Sequence, residues 1–487
     1  MMEQQTARIF PTGRKELVFG VFALISGLCL CNFVLNGGLN LGFAIAMLLV
    51  LLSTGVYLRC AGCKITPYAA ALLGLSLVIC AGFARSDDGF VKLILLGFLA
   101  VSINLGLILT AGQNLRDPKG IASVLDSLRG FFAMGFGGMA PACRGMGQTL
   151  RSGGPAMKKG GSILLGVAIC VPVLAVIIPL LISADAAFSG VMALLPKFSV
   201  AELVTTLMFG LPLALFFYAQ ATALRHSEPF QGEVTEVELS VSHLTVNTVL
   251  GSICAVFAVY LISQLAYFGG GFAGVLPEEF TMAEYARRGF FEMAWLSALD
   301  LGVIAVAAAF VRRKEGKTPL STRLLCLFIG LVTLFFVVSA SAKMLMYIDG
   351  YGLTRLRVLT EVIMIFLGIA TVTVCIWLFV PKLPYFKVIL LVAMIMGATV
   401  LWADVDSVVA DYNVTAYQSG QLKAVDVGYL GQLGDGAKPH IARLTEDSNP
   451  YVADAAKKLL KRNSAAGEGD FRSWNYAWHT AQGIGKE

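Results

Sequence analysis

Charge is scarce in this chain: Asp, Glu, Lys and Arg make up 14% of its 487 residues, against roughly a quarter in soluble domains. That scarcity argues against an ordinary water-soluble fold. Histidine is rarer still, with four copies (His226, His243, His440, His479) too dispersed for an HExxH metal site. No GxSxG nucleophile turn and no phosphate-binding P-loop occurs. The motifs therefore give no argument for an enzyme, and no cofactor or metal is expected. Gly135 to Ala140 superficially matches a dinucleotide-binding pattern, but no strand precedes it.

Ten cysteines are present, yet Cys29, Cys31, Cys80, Cys170, Cys254, Cys326 and Cys375 lie within apolar runs, where cysteine behaves as a small hydrophobe. The CxxC pair Cys60 and Cys63 has no second pair or histidine cluster beside it, which favours packing over redox or zinc chemistry. The net charge of +6 is spread over short loops instead of forming one basic face, which argues against nucleic acid as a partner.

What the chain does have is apolar sequence: 57% hydrophobic residues and a mean hydropathy of +0.76. A bilayer core needs about 20 apolar residues per helix. Eleven runs qualify, near 17–35, 39–58, 67–84, 91–111, 161–182, 200–224, 245–268, 291–311, 323–346, 357–380 and 386–402. The expected fold is all-α, a polytopic transmembrane bundle of about 11 spans. The bias of Lys and Arg in alternate loops predicts an N-terminus inside and a C-terminus outside. Residues 1–111 form a four-span unit, 112–160 a basic cytoplasmic loop with an interfacial helix, and 161–402 a seven-span core. Residues 403–487 follow as a small extracytoplasmic helical domain. Within that domain, Asn449-Pro450 reads as an N-cap followed by proline in the first turn, opening an amphipathic helix.

Charges gather in two outer segments, 269–290 and 347–357. In "EYARRGFFEMAWLSALD", Glu284, Arg288 and Glu292 are four residues apart and share one helical stripe, with Arg287 beside them. In the second segment Arg355, Arg357 and Glu361 open the penultimate span, on the side that should be poor in positive charge. One expectation is a plain surface network. The sharper one is a shared vestibule in which an acid of the first segment pairs with an arginine of the second. Its guanidinium groups would there receive an anionic lipid headgroup or cell-wall precursor phosphate. Asp300 differs from both groups. It lies eight residues past Glu292, roughly 12 Å deeper, and reads either as a functional carboxyl or as one half of an interhelical hydrogen bond.

The motifs "SADAAF" (183–188), "SQLAYF" (263–268), "AEYARRGFFEM" (283–293), "YIDGYGLTRLRVLTE" (347–361) and "DVDSVVADYNVTAY" (404–417) occur in order. Over roughly residues 90–445 the chain resembles an uncharacterised bacterial membrane-protein family, domain of unknown function 4173, and its close relative 4153. The resemblance implies a multi-pass protein of the bacterial cytoplasmic membrane and no particular chemistry. The leading expectation is a non-enzymatic envelope sensor, regulator or ligand-binding protein. The alternative is a small-molecule or ion transporter using Asp300, and the third is an intramembrane enzyme on lipid-linked substrates. The substrate and oligomeric state are left open.

Overall fold

The computed structural model describes residues 10–115, 120, 123–152, 200–227, 241–272, 290–312, 318–462 and 470–484, with isolated positions between 166 and 184. Among the described residues the structure is helical throughout, apart from one isolated bridge between Val241 and Val311. Nine helices among the described residues are long and apolar enough to cross a membrane. They are α1 (Arg14–Gly37), α2 (Leu41–Cys60), α4 (Gly89–Ala111), α7 (Val200–His226), α8 (His243–Phe272), α9 (Phe290–Phe310), α10 (Leu320–Tyr351), α11 (Arg355–Phe379) and α12 (Tyr385–Ala403). A tenth, α3 (Pro67–Gly82), is apolar but only 16 residues long, about 24 Å at the helical rise. The run expected at 161–182 lies mostly outside the described residues.

Local sequence sets the helix ends. Pro67 fills the first turn of α3, where its missing N–H is not needed, and the Thr66 hydroxyl accepts from the Ala69 N–H. Asp88 caps α4 by accepting from the Phe90 and Val91 N–H groups. Gly112 ends the same helix at φ 68°, a left-handed conformation that glycine adopts without strain. Pro212 lies inside α7 without ending it.

The helices form two groups. The first joins α1 to α4, α7 and α12 around Ala46, Leu72, Ile79, Phe83, Leu105, Ile108 and Met394. The second joins α8 to α11 around Leu250, Phe290, Ile304, Ile329, Phe336 and Met364. Helix α11 packs on α12 and connects them. Between α4 and α7, the short helix α5 (Ser123–Arg129) runs into a π-helical turn (Gly130–Phe136) and then α6 (Met139–Ser152). Along α5 and that turn Ser123, Asp126, Ser127 and Gly130 are buried, while Leu125, Leu128, Phe132 and Phe136 are exposed. An apolar outer face over a polar inner one suits an interfacial helix.

After α12 the chain continues through α13 (Val405–Gln418), α14 (Val427–Leu430), α15 (Lys438–Ala442) and α16 (Pro450–Arg462). Ala410, Val414, Leu430, Ile441, Leu444, Ala456 and Leu460 close a small core. The Asn449 cap of α16 forms as the sequence suggests, its Oδ1 accepting from the Tyr451 N–H at 3.1 Å. The last described segment, with α17 (Tyr476–Ala481), returns to the helix ends. The Leu41 and Gly42 N–H groups, unpartnered within α2, donate to the carbonyls of Trp474 and Arg472. Tyr476 N–H donates to the Ala84 carbonyl at 2.8 Å. These contacts gather residues near 40, 84–88, 352–355, 404 and 470–484 on one face of the helix array. The links Lys15–Cys60 and Gln113–Ser227 lie on the opposite face.

Candidate functional site

Four carboxylates meet where α12 passes into α13. Asp404 joins the two helices in a left-handed backbone conformation (φ 55°) that aspartate tolerates better than most side chains. Asp406 follows in the first turn of α13 and is wholly buried. Asp87 and Asp88 come from the short loop between α3 and α4, and Asp88 is buried as well. Arg355, the first residue of α11, enters between them. Its Nε donates to Asp406 Oδ1 at 2.7 Å and lies 3.3 Å from Asp88 Oδ2, and its Nη2 reaches Asp406 Oδ2. The planar guanidinium thus grips one carboxylate with two parallel bonds, the strong form of an ion pair.

The C-terminal helices close over this cluster. Gly434 N–H donates to Asp406 Oδ2 at 2.9 Å and Asp435 N–H to Asp87 Oδ2 at 2.7 Å. A Cβ on Gly434 would collide with the Asp87 carboxylate, and one on Gly436 with that of Asp404, so glycine is needed for so close an approach. The Arg355 N–H donates to the Tyr429 hydroxyl at 2.8 Å. Asn413 fastens the neighbouring turn, exchanging two 2.7 Å hydrogen bonds with the backbone of Leu353.

The charge count does not balance. Asp87, Asp88, Asp404 and Asp406 face three cations, Arg355, the buried Lys92 and Arg85, the last stacked 3.9 Å over the Tyr476 ring. Asp435 is matched separately by Lys438 at 2.6 Å. The surplus acid falls on Asp404 and Asp87. Burial first, then Asp87 and Asp406 nearby, push the Asp404 carboxyl up to about 6, against the opposing pull of Arg85 and a hydrogen bond from Ser86. Asp87 is raised by burial above all, with Asp435 and Asp406 adding to it.

Of the residues singled out from sequence, the described ones do not make the ion pair expected between the two outer segments. Glu284, Arg287 and Arg288 lie outside the described residues. Glu292 is exposed at the start of α9, with Lys343 of α10 as its charge neighbour. Arg355 does not pair with Glu292. Its acids are Asp88 and Asp406, which reach it because α4 and α13 begin at the same end as α11. Arg357 donates to the Gly352 and Tyr351 carbonyls and lies 4.2 Å over the Tyr347 ring, fixing the turn before α11. Glu361 has one buried oxygen without a hydrogen-bond partner. Asp300 is fully buried in α9 against Thr333 of α10. Among the described residues no group of three metal-ligating side chains occurs.

The partners of Arg355 were the residues that sequence reasoning missed. "SDD" at 86–88 reads as an ordinary capping loop. "DVD" at 404–406 lies within a motif that carried the family resemblance, and that was the only signal available.

Fold and site together define an all-helical chain with many membrane-length apolar helices and a buried charge cluster beneath its C-terminal helices. The chain belongs to the family described as "Domain of unknown function (DUF4153)", whose profile matches residues 43–444. This is the second of the two related families that the motifs resemble. Comparison with curated proteins and with solved structures gave no match.

Proposed function

We propose that this chain is a multi-pass protein of the bacterial cytoplasmic membrane that acts as an envelope sensor or regulator. Its N-terminus lies inside and its C-terminal helices outside, in keeping with the loop bias in Lys and Arg. The span count is eleven if 161–182 crosses as its composition suggests, and 403–487 acts as one outer domain. The observation that carries the reading is the clamp at Arg355. One guanidinium links helices α4 and α13 to α11, and the surplus carboxyl at Asp404 lies beneath the turn that the outer domain presses onto it. Protonation or loss of one partner changes how the outer domain is held, which is a means of passing a signal between that domain and the membrane helices.

Arg355 already has two acids, so an anionic lipid headgroup or cell-wall precursor would have to use the other arginines of the two segments, Arg357 or the sequence candidates Arg287 and Arg288, which lie outside the described residues. A second reading, transport, has one observation in its favour, the unpartnered buried oxygen of Asp300.

Hydrogen exchange of the protein in lipid nanodiscs tests the sensor. Residues 405–462 should exchange differently below and above about pH 6, and Asp404→Asn should remove most of the difference. Flux of protons or solute through proteoliposomes, with no pH response of the outer domain, would replace the sensor by a transporter. Orientation is tested separately. An impermeant thiol reagent should label Lys457→Cys in intact cells and Lys64→Cys only after permeabilisation, both exposed positions in a cysteine-free background.

A further inference from the structure

Asp300 is midway along α9, eight residues after Glu292 and ten before Phe310, and is 0% exposed. Its Oδ2 lies 2.8 Å from Thr333 Oγ1, and its Oδ1 meets no hydrogen-bond partner. Thr333 has a single hydroxyl proton, and its Oγ1 is also 2.9 Å from the Ile329 carbonyl one turn earlier. An ionised Asp300 would leave a carbonyl and a carboxylate competing for that one proton. A protonated Asp300 resolves the conflict: the threonine donates to Ile329 and accepts from the acid.

Among the described residues no other donor reaches Asp300. Ser297 donates to the Met293 carbonyl at 2.8 Å and Thr371 to the Leu367 carbonyl at 2.7 Å, each within its own helix. No ion pair among the described residues includes Asp300. The charged side chains of the packed helices lie toward their ends. Glu292 is eight residues away on α9, Lys343 and Arg323 are each ten residues from Thr333 on α10, and Glu361 is ten residues from Thr371 on α11. The other titratable neighbours are Tyr260 of α8, whose ring lies 5.4 Å from that of Phe336, and the thiols of Cys254, Cys326 and Cys375, grouped near Gly330 where α10 and α11 touch. Among the described residues no group of three His, Cys, Asp or Glu side chains gathers there to hold a metal ion.

We propose that Asp300 is a proton-binding site within the helix group α8 to α11, its ligand the proton itself and Thr333 its hydrogen-bond acceptor. The site does not depend on the clamp at Arg355 and stands whether or not the outer domain is a sensor.

An apolar carbodiimide, dicyclohexylcarbodiimide, tests it on the full-length protein in detergent micelles. The acid O–H adds across one C=N bond: oxygen bonds to the central carbon, the proton goes to nitrogen, and nothing leaves, so only the protonated acid reacts. Mass spectrometry should find Asp300 modified at mildly acidic pH, with modification falling about tenfold per pH unit above its midpoint. A water-soluble carbodiimide should leave it untouched. Asp300→Asn should lose the adduct and keep the parent thermal midpoint, because its amide donates to Thr333 as the acid does. Absence of the adduct at every pH, an extent that ignores pH, or a large loss of stability in Asp300→Asn would each overturn the proposal.

Discussion

The two helix groups differ in where their unpartnered buried oxygens lie. In the first, the polar side chains at membrane depth are neutral and find each other: Ser76 meets Ser102 at 3.0 Å, and Gln220 donates to Asn104 at 2.6 Å. Its charges lie at the helix ends, and so do its buried oxygens without a hydrogen-bond partner, on Tyr68, Asp87, Asp88 and Gln113. Glu16 accepts from Tyr57, Arg225 and His226 at one face, and Asp88 meets Arg355 at the other. In the second group, Asp300 and Glu361 each keep one buried oxygen with no partner. A buried polar group without a partner costs free energy, so the first group, whose mid-helix polar side chains are hydrogen-bonded, forms the scaffold, and the second carries that cost within its helices. The clamp at Arg355 lies on the boundary, since α11 belongs to the second group while α4 belongs to the first.

The strongest way to break that boundary is Arg355→Ala. It leaves Asp406, fully buried, and Asp88, nearly so, without their cation. A buried ion pair broken on one side typically costs about 3–5 kcal/mol, so a large drop in the detergent thermal midpoint is expected. A drop equivalent to less than about 1 kcal/mol would mean that solvent reaches the cluster.

A smaller effect comes from pH. Asp404 holds its proton more tightly in the folded protein, at about 6, than its ordinary value of 3.8. The folded state therefore binds more protons than the unfolded one between those values, and stability falls as pH rises through that window. The loss should be about 1–3 kcal/mol, measured as thermal midpoint against pH. Asp404→Asn should flatten most of the slope and leave a remainder from Asp87, raised for the same reasons.

The smallest effect sharpens the comparison within the scaffold. Arg472 of the returning C-terminal segment pairs with Glu202 of α7 and hydrogen-bonds Asn32 of α1 at 2.8 Å, but both charged side chains are partly exposed. Glu202→Gln should cost under about 1 kcal/mol, and raised salt should reduce the difference between wild type and variant. A loss as large as that of Arg355→Ala would place this end of the molecule among the buried clamps instead.

Much of the architecture was legible because a bilayer imposes a length and a polarity on every crossing helix. Nine of the expected apolar runs appear as membrane-length helices among the described residues, and the N-cap at Asn449 was readable from two adjacent residues. The interhelical hydrogen bond that the sequence offered as one reading of Asp300 forms with Thr333. The partners of Arg355 could not be read in this way. Asp406 is 51 residues along the chain and Asp88 lies in another helix pair. Periodicity relates residues on one helix and says nothing of which helix ends converge. The pairing expected between the two outer segments rests on periodicity of that kind, and of its described members Glu292 and Arg355 do not pair.

The central claim is that Arg355 and Asp406 are energetically one unit joining the membrane helices to the C-terminal helices. A double-mutant cycle tests it, using thermal or denaturant stability of Arg355→Ala, Asp406→Ala and the double variant in the same detergent. The account predicts that the double variant loses clearly less than the sum of the singles, with a coupling of about 1–3 kcal/mol, because removing both partners leaves no stranded charge between them. Losses that add to within about 0.5 kcal/mol would contradict it.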